Sequence, residues 1–234
     1  MKKDESRKRT PKRQGSRAYR IIYALLSGIV GFLFNIKVIN RENEPDEGGY
    51  IVCANHVSAT DPIVLCYAFK KNQVHFMAKK ELFKIPLLAQ IIKVLGAFPV
   101  DRSGSDVGAI KKAVSIVEEK KCMGIFPQGH RYAGEDPRKT KTKNGVALIA
   151  TKTEADIVPC YIYRKNNKFR LFCRTYVIIG DKIPFASLNY NADENGEYPR
   201  ITDIAFDKIC TLGEEFEAQR AKKKAKKHKK KDAE

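Results

Sequence analysis

The sequence predicts an α/β protein with a mixed, largely parallel sheet covered by helices on both faces, and a membrane-associated helix near its N-terminus. Short apolar runs typical of buried strands alternate with helical segments along most of the chain, which is the order that parallel sheets require. The chain has 234 residues, enough for one domain with a substantial core. The third observation is an uncharged stretch, residues 21–36, bracketed by Arg20 and Lys37.

The elements are expected in a regular order. The apolar helix is followed by strands at 36–40 and 50–54, a helix from Asp61 to about Lys71, a strand at 74–78, an apolar helix at 86–95 and a strand at 97–100. Residues 106–120 read as an amphipathic helix, because Val107, Ile110 and Val114 recur at helical spacing. Next come a strand at 122–126, a helix at 145–153, strands at 156–163 and 169–179, and a final helix from about Ile201 into a Lys-rich tail that frays into disorder. Pro159 is expected to interrupt its strand.

The uncharged stretch 21–36 would be about 24 Å long as a helix, short of the roughly 30 Å of a hydrocarbon core. A span that uses snorkelling by Arg20 and Lys37 and a helix that dips into one leaflet both remain open. The dipping helix is preferred, because a single span would put two basic chain ends on opposite sides of the membrane. A signal peptide is the rival interpretation, but no small-residue cleavage site follows the stretch.

Charge divides the chain into four parts. The net charge of +18 is concentrated at the ends: residues 1–20 hold nine Lys/Arg and two acids, and residues 220–231 hold nine Lys/Arg and no acid. We therefore expect a basic segment at 1–20, the apolar helix at 21–36, a folded domain at 37–215 and a Lys-rich tail at 216–234. Basic ends favour an anionic surface, either lipid or nucleic acid.

The six cysteines show no Cys-x-x-Cys pair and no metal-ligand spacing. Most lie in apolar runs, which predicts buried, reduced thiols in a cytosolic compartment.

His56 and Asp61 lie five residues apart, just after the predicted strand 50–54. The carboxyl ends of strands in open α/β sheets are the usual place for chemistry, and an imidazole held by a carboxylate can deprotonate a hydroxyl at neutral pH. A structural alternative exists, because Asp61 before Pro62 is also an ordinary helix start with Asp as the N-cap.

The pattern of a strand followed by a polar turn recurs in order at Asn55–Asp61, Gly96–Arg102 and Phe126–Arg131, with Pro159 beyond them. This set resembles the glycerolipid acyltransferase family, the 1-acylglycerol-3-phosphate acyltransferases, over roughly residues 37–185. The resemblance implies transfer of a fatty acyl group from a thioester of acyl carrier protein or coenzyme A, without a bound cofactor or metal.

The resemblance also implies roles for single residues. His56 matches the catalytic base and Asp61 the carboxylate that orients it. Three cations match positions that look like a clamp on the acceptor's phosphate, a role that guanidinium groups suit: Arg102, Arg131 and Lys143. The remaining matches are supporting positions: Ser58, Gln128, Gly129, His130, Gly145 and Pro159, the last at the acyl site.

The chain departs from the family in the third block, where Gln128 stands for Glu and His130 for Thr or Ser. Gln128 keeps the hydrogen-bonding reach without the charge, which favours altered acceptor binding; a different lysolipid or glycerol 3-phosphate is the alternative acceptor. Two alternatives of another class remain, a nucleic-acid-binding protein and a non-catalytic membrane-surface scaffold. The preferred interpretation has lysophospholipid, acyl carrier and anionic membrane as partners, no nucleic acid, and a monotopic enzyme on the cytoplasmic face.

Overall fold

The computed structural model describes residues 15–101 and 106–231. Seven strands form one sheet: β1 (Ile36–Ile39), β2 (Ile51–Ala54), β3 (Val74–Lys79), β4 (Ala97–Val100), β5 (Cys122–Ile125), β6 (Ile157–Tyr163) and β7 (Thr175–Ile179). The helices are α1 (Arg17–Phe34), α2 (Asp61–Ala68), α3 (Pro86–Val94), α4 (Val107–Glu118), α5 (Gly145–Thr153) and α6 (Glu197–Lys231).

The strand order is β1-β7-β6-β2-β5-β3-β4. Every neighbouring pair is parallel except β6 and β7, which run antiparallel. The prediction of a mixed, largely parallel sheet is therefore confirmed. β2, which leads to His56, lies between β6 and β5 near the middle of the sheet.

Helices cover both faces of the sheet, as predicted. On β2, Ile51 and Cys53 belong to the core cluster shared with α4, α5 and α6, whereas Val52 and Ala54 belong to the cluster shared with α1 and α2. All four residues of β2 are fully buried, which explains why this strand is a continuous apolar run without alternation.

The predicted strand 169–179 is wrong in its first half. Only Thr175–Ile179 is extended, and residues 171–173 turn sharply with Phe172 at φ +61°. The Phe172 N–H donates to the Leu33 carbonyl at 2.8 Å. This segment therefore bonds to the end of α1 instead of a neighbouring strand.

Pro159 does not interrupt its strand, contrary to the prediction. It lies within β6 in register with Cys53, and its carbonyl accepts the Gly180 N–H at 2.8 Å. The antiparallel ladder to β7 begins one residue later, at Cys160. The missing N–H of Pro159 therefore falls at the end of a ladder, where it disrupts least.

The last helix is longer than predicted, beginning at Glu197 and continuing through the Lys-rich segment to Lys231. Lys and Ala are good helix formers, which explains why helix replaces the expected disorder here. The Arg220 guanidinium of α6 lies 5.1 Å and 4.8 Å from the ring centroids of Tyr163 and Tyr176 in the sheet. It also lies 5.6 Å from the ring centroid of Phe216 on the same helix. Residues 221–226 are all exposed.

Helix α1 lies against α2 and α3. Gly31 faces α2, since a Cβ at this position would be 3.0 Å from the Tyr67 hydroxyl. The opposite side is an exposed apolar stripe of Ile21, Leu25, Ile29 and Phe32, each more than half exposed. Within the described residues, α1 is the one helix long and apolar enough to cross a membrane by length and composition.

Candidate active site

His56 and Asp61 are in contact at the carboxyl end of β2. His56 Nδ1 is 2.8 Å from Asp61 Oδ2, and both side chains are buried. The same carboxylate oxygen accepts the N–H groups of Val57 and Ser58, each at 2.7 Å. Because these groups precede α2, Asp61 binds the turn that carries His56 and does not cap the helix. A helix does begin at Asp61-Pro62 as the structural alternative expected, but its N-cap is Thr60, which makes no side-chain capping bond, and not Asp61.

Arg164 completes the surroundings of Asp61. It follows the last residue of β6, is 2% exposed, and donates through Nη1 to Asp61 Oδ1. Its Nη2 donates to Thr60 Oγ1 at 3.2 Å, and its guanidinium lies 5.2 Å from the centroid of Phe169. One carboxylate therefore holds the imidazole with one oxygen and a buried cation with the other.

The backbone of His56 is held on both sides by the segment after β5. Gln128 Oε1 accepts the His56 N–H at 2.6 Å, and the Tyr132 N–H donates to the His56 carbonyl at 2.9 Å. Gln128 Nε2 in turn donates to Thr140 Oγ1 at 2.7 Å, and that hydroxyl donates to the Pro137 carbonyl at 2.6 Å. Gln128 is 2% exposed and does not line the cavity, and its bonds tie the turn that carries His56 to the segment after β5.

The imidazole of His56 stacks on Phe126, with ring centroids 4.1 Å apart and planes at 16°. Asp61 occupies Nδ1, which favours the tautomer with its proton on that nitrogen and leaves Nε2 as an acceptor. The ring borders a cavity of about 870 Å³. The arrangement can accept a proton from a hydroxyl placed in that cavity.

The cavity lies between α4 and α5 over the strands β3 and β5. Its wall includes the apolar side chains Met77, Val107, Ile110, Val114, Ile125 and Leu148. The apolar stripe that the sequence predicted on α4 thus lines the cavity. Its polar lining includes three lysines and His130, all exposed, and two carboxylates: Lys111, Lys143, Lys152, Asp101 and Asp106. An apolar interior beside cationic groups suits an amphiphile with an anionic head.

Gly129 and Lys143 are packed together beside the cavity. Gly129 has φ +66°, and a Cβ there would lie 2.9 Å from Lys143 Cδ, so glycine satisfies both the backbone and the space. The Lys143 N–H donates to the Pro127 carbonyl at 2.7 Å. This bond places the Lys143 side chain against the turn that follows β5.

The structure brings only some of the predicted residues together around the cavity: His56, Gly129, His130, Lys143 and Gly145. Arg131 is exposed and is not part of the cavity wall. Arg102 lies outside the described residues. The expected clamp is thus represented at the cavity by Lys143.

Ser58 and Pro159 lie beside the site and not in it. The Ser58 hydroxyl is 3.0 Å from Thr60 Oγ1 and shapes the turn around Asp61. Pro159 is buried in β6, where its ring and Leu212 both pack close to Gly180. Pro159 does not line the cavity.

Sequence reasoning missed Arg164 and Thr140. Arg164 had a signal that went unused, because it follows an apolar strand directly, as His56 nearly does. No local sequence signal marked Thr140, because its hydrogen bond with Gln128 depends on the path of the loop that follows β5.

A buried His–Asp pair beside an apolar cavity at the edge of an α/β sheet defines an enzyme that activates a nucleophile for group transfer. A sequence model of the acyltransferase family matches residues 35–163, and the chain belongs to that family. The predictions of an enzyme and of its family are confirmed.

Individual relatives agree with this assignment. The chain is 31% identical over 167 residues to a 1-acyl-sn-glycerol-3-phosphate acyltransferase of Bacillus subtilis, covering 70% of this chain and 82% of that one. It is 35% identical over 142 residues to a protein of the same name from Borreliella burgdorferi, covering 59% of this chain and little more than half, 56%, of the relative. The fold resembles the crystal structure of the 1-acyl-sn-glycerophosphate (LPA) acyltransferase PlsC from Thermotoga maritima, with a TM-score of 0.62, 24% identity, and 83% and 79% of the two chains covered.

Proposed function

We propose that this enzyme transfers a fatty acyl group from an acyl thioester to the free hydroxyl of 1-acylglycerol-3-phosphate and so makes phosphatidic acid for phospholipid biosynthesis. The observation that carries the proposal is the buried His56–Asp61 pair beside an apolar cavity with cationic groups in its lining. The names of the relatives support the same substrate class.

In the proposed step, His56 Nε2 takes the proton of the acceptor hydroxyl while the oxygen attacks the thioester carbonyl. The C–O bond forms, the C–S bond breaks, and the imidazolium returns the proton to the leaving thiolate. General-base help of this kind contributes about 10²–10⁴-fold. Asp61 stabilises the imidazolium and fixes its orientation, and Arg164 holds Asp61 in place.

The cavity gives each part of a lysophospholipid a matching environment. Acyl carbon atoms fit the apolar wall between α4 and α5, and 870 Å³ lies within the range of about 300–1,000 Å³ typical of ligand pockets. The acceptor's phosphate lies near Lys143 and His130, with Arg131 and Arg102 as further predicted cations. A cation that hydrogen-bonds a phosphate contributes about 1.5–3 kcal/mol.

The enzyme works at the cytoplasmic face of a membrane. Helix α1 presents one apolar stripe outward and packs its other side on α2 and α3, which suits a helix lying in one leaflet better than a separate span. The basic chain ends add attraction to an anionic surface.

The test is release of thiol from an acyl thioester by the purified enzyme in detergent, with and without 1-acylglycerol-3-phosphate. Parallel arms use acyl-coenzyme A and acyl-acyl carrier protein as donors, and glycerol 3-phosphate and other lysolipids as acceptors. We expect release to depend on 1-acylglycerol-3-phosphate and to yield phosphatidic acid. Release that ignores every acceptor, or that follows another acceptor much better, would overturn the proposal.

A further inference from the structure

The loop between β6 and β7 combines exposed apolar residues with cations. Leu171 and Phe172 at its tip are 53% and 58% exposed. Around them stand four exposed cations, Lys165, Lys168, Arg170 and Arg174. No Asp or Glu occurs between residues 157 and 180, and none of the four cations forms an ion pair with a residue in the described ranges. We call residues 165–174 the tip loop.

The tip loop is attached to the end of α1. Besides the bond from Phe172 to Leu33, Asn35 Nδ2 donates to the Phe172 carbonyl at 3.3 Å. The Phe172 ring meets Phe32 edge to face, with centroids 5.6 Å apart. Because Phe32 ends the exposed stripe of α1, the apolar tip continues that stripe as one surface.

The tip loop also lies on the same edge of the sheet as the candidate active site. The Gly134 N–H donates to the Asn167 carbonyl at 2.8 Å, and Tyr132, two residues earlier, bonds to His56. Within the tip loop, Phe169 packs against the body, with its ring centroid 5.3 Å from that of Phe34 and 5.2 Å from the Arg164 guanidinium. A surface that contacts the tip loop therefore also faces the edge that carries His56.

Phe172 holds its exposed ring in an unfavourable backbone conformation. Bulky residues rarely adopt a positive φ, and here two hydrogen bonds to α1 keep it there. A large apolar side chain held outward in this way, within a ring of cations, matches the chemistry of a bilayer interface. Apolar groups enter the acyl boundary there while Lys and Arg meet anionic head groups.

We propose that the tip loop is a second lipid-contacting element, which inserts Leu171 and Phe172 into the interface of an anionic bilayer and turns the carboxyl edge of the sheet toward the membrane. It extends the membrane association proposed for α1 and the chain ends. It does not depend on which acceptor or acyl donor the enzyme uses.

Cys173 allows a direct test, because it is exposed whereas the other five cysteines are buried. The full chain is labelled there with an environment-sensitive fluorophore and mixed with phosphatidylglycerol–phosphatidylcholine vesicles, with brominated acyl chains in one arm. We expect a blue shift, quenching by the brominated lipid and protection from aqueous iodide. The same probe at residue 208 in a Cys173→Ser, Lys208→Cys variant, on the outer side of α6, is expected to stay in water.

Paired variants test the two chemistries of the loop. Leu171→Ser with Phe172→Asn is expected to weaken binding to anionic and neutral vesicles by at least tenfold; asparagine is chosen at 172 because it tolerates a positive φ. Arg170→Gln with Arg174→Gln is expected to weaken anionic binding alone, by roughly tenfold or more at low salt. The control Lys112→Gln with Lys208→Gln removes the same charge from the opposite helical layer and is expected to change little.

Two outcomes overturn the inference: a Cys173 probe that stays iodide-accessible on vesicle-bound protein, or a chain that does not bind anionic vesicles. Acyl transfer in detergent is measured separately and is expected to remain near wild type in the Leu171/Phe172 variant. A wild-type chain inactive in detergent whose Cys173 probe nevertheless enters the bilayer would contradict the proposed function while supporting the tip loop.

Discussion

Arg164 and His56 bind opposite oxygens of one buried carboxylate. The guanidinium donates to Asp61 Oδ1 and the imidazole meets Asp61 Oδ2. Arg164 and Asp61 are 2% and 0% exposed, and they lie 103 residues apart in the chain. The orientation of the proposed catalytic pair therefore depends on the end of a neighbouring strand.

Replacing Arg164 is expected to impair both stability and turnover. Arg164→Ala leaves a buried carboxylate without its cation, and breaking a buried pair costs about 3–5 kcal/mol. We expect a lower Tm by calorimetry and a kcat that falls more than either KM rises, because Arg164 is buried and does not line the cavity. The matched control is Arg138→Ala, whose ion pairs with Asp207 and Glu214 are exposed and therefore weak. Equal effects of the two variants would contradict the role of Arg164.

Gln128→Glu is expected to slow transfer, although it restores the residue found in the family. Gln128 donates to Thr140, whose single proton already goes to the Pro137 carbonyl. A carboxylate would compete for that proton and leave one buried acceptor unpaired, at a cost of about 1–3 kcal/mol. The measurements are kcat and the free energy of unfolding. The control is Gln219→Glu, which makes the same change at an exposed amide on α6. Faster transfer by Gln128→Glu would contradict this expectation and show that the change from Glu to Gln at this position serves no function.

Lys143→Ala is expected to raise the acceptor's KM and leave the thioester's KM nearly unchanged, because Lys143 lines the cavity. A charged hydrogen bond to phosphate contributes about 1.5–3 kcal/mol, or roughly ten- to hundredfold. Lys139→Ala, which removes an exposed cation outside the cavity, provides the control. A variant that raises both KM values equally, or neither, does not remove a phosphate ligand.

The sequence predicted most elements of this fold because hydrophobic periodicity and turn residues are local signals. The contact between His56 and Asp61 was also within reach, since five residues and one turn separate them. Arg164 was not assigned, and the bonds of Gln128 to His56 and Thr140 were not predicted, because these contacts depend on which strands flank β2. No local pattern fixes that order.

The segment 169–174 shows the same limit. Its residues Phe169, Leu171 and Phe172 have the composition of a strand, yet contact with the end of α1 determines their conformation. Pro159 shows the opposite error, because it was predicted to interrupt its strand and lies within β6. The strand tolerates this proline because the ladder to β7 begins only at the next residue, Cys160.

Truncation after Arg220 tests the role of the basic tail while keeping the residue that stacks on the body. Loss of residues 221–234 removes eight lysines, each contributing about 1 kcal/mol near an anionic surface. Co-sedimentation is expected to show weaker binding to anionic vesicles, most strongly at low salt, and unchanged binding to neutral ones. Leu25→Ser with Phe32→Ser on α1 is expected to weaken both. Unchanged vesicle binding with loss of retention on DNA would assign the tail to nucleic acid instead.

The most direct test of the account is the rate of acyl transfer by purified His56→Ala, measured in detergent with saturating thioester and 1-acylglycerol-3-phosphate. Circular dichroism and Tm establish that the variant is folded. Because a positioned general base contributes about 10²–10⁴-fold, the predicted result is a loss of at least about a hundredfold in kcat. A folded His56→Ala enzyme that retains a rate within about threefold of wild type, well short of that loss, would contradict the proposed mechanism.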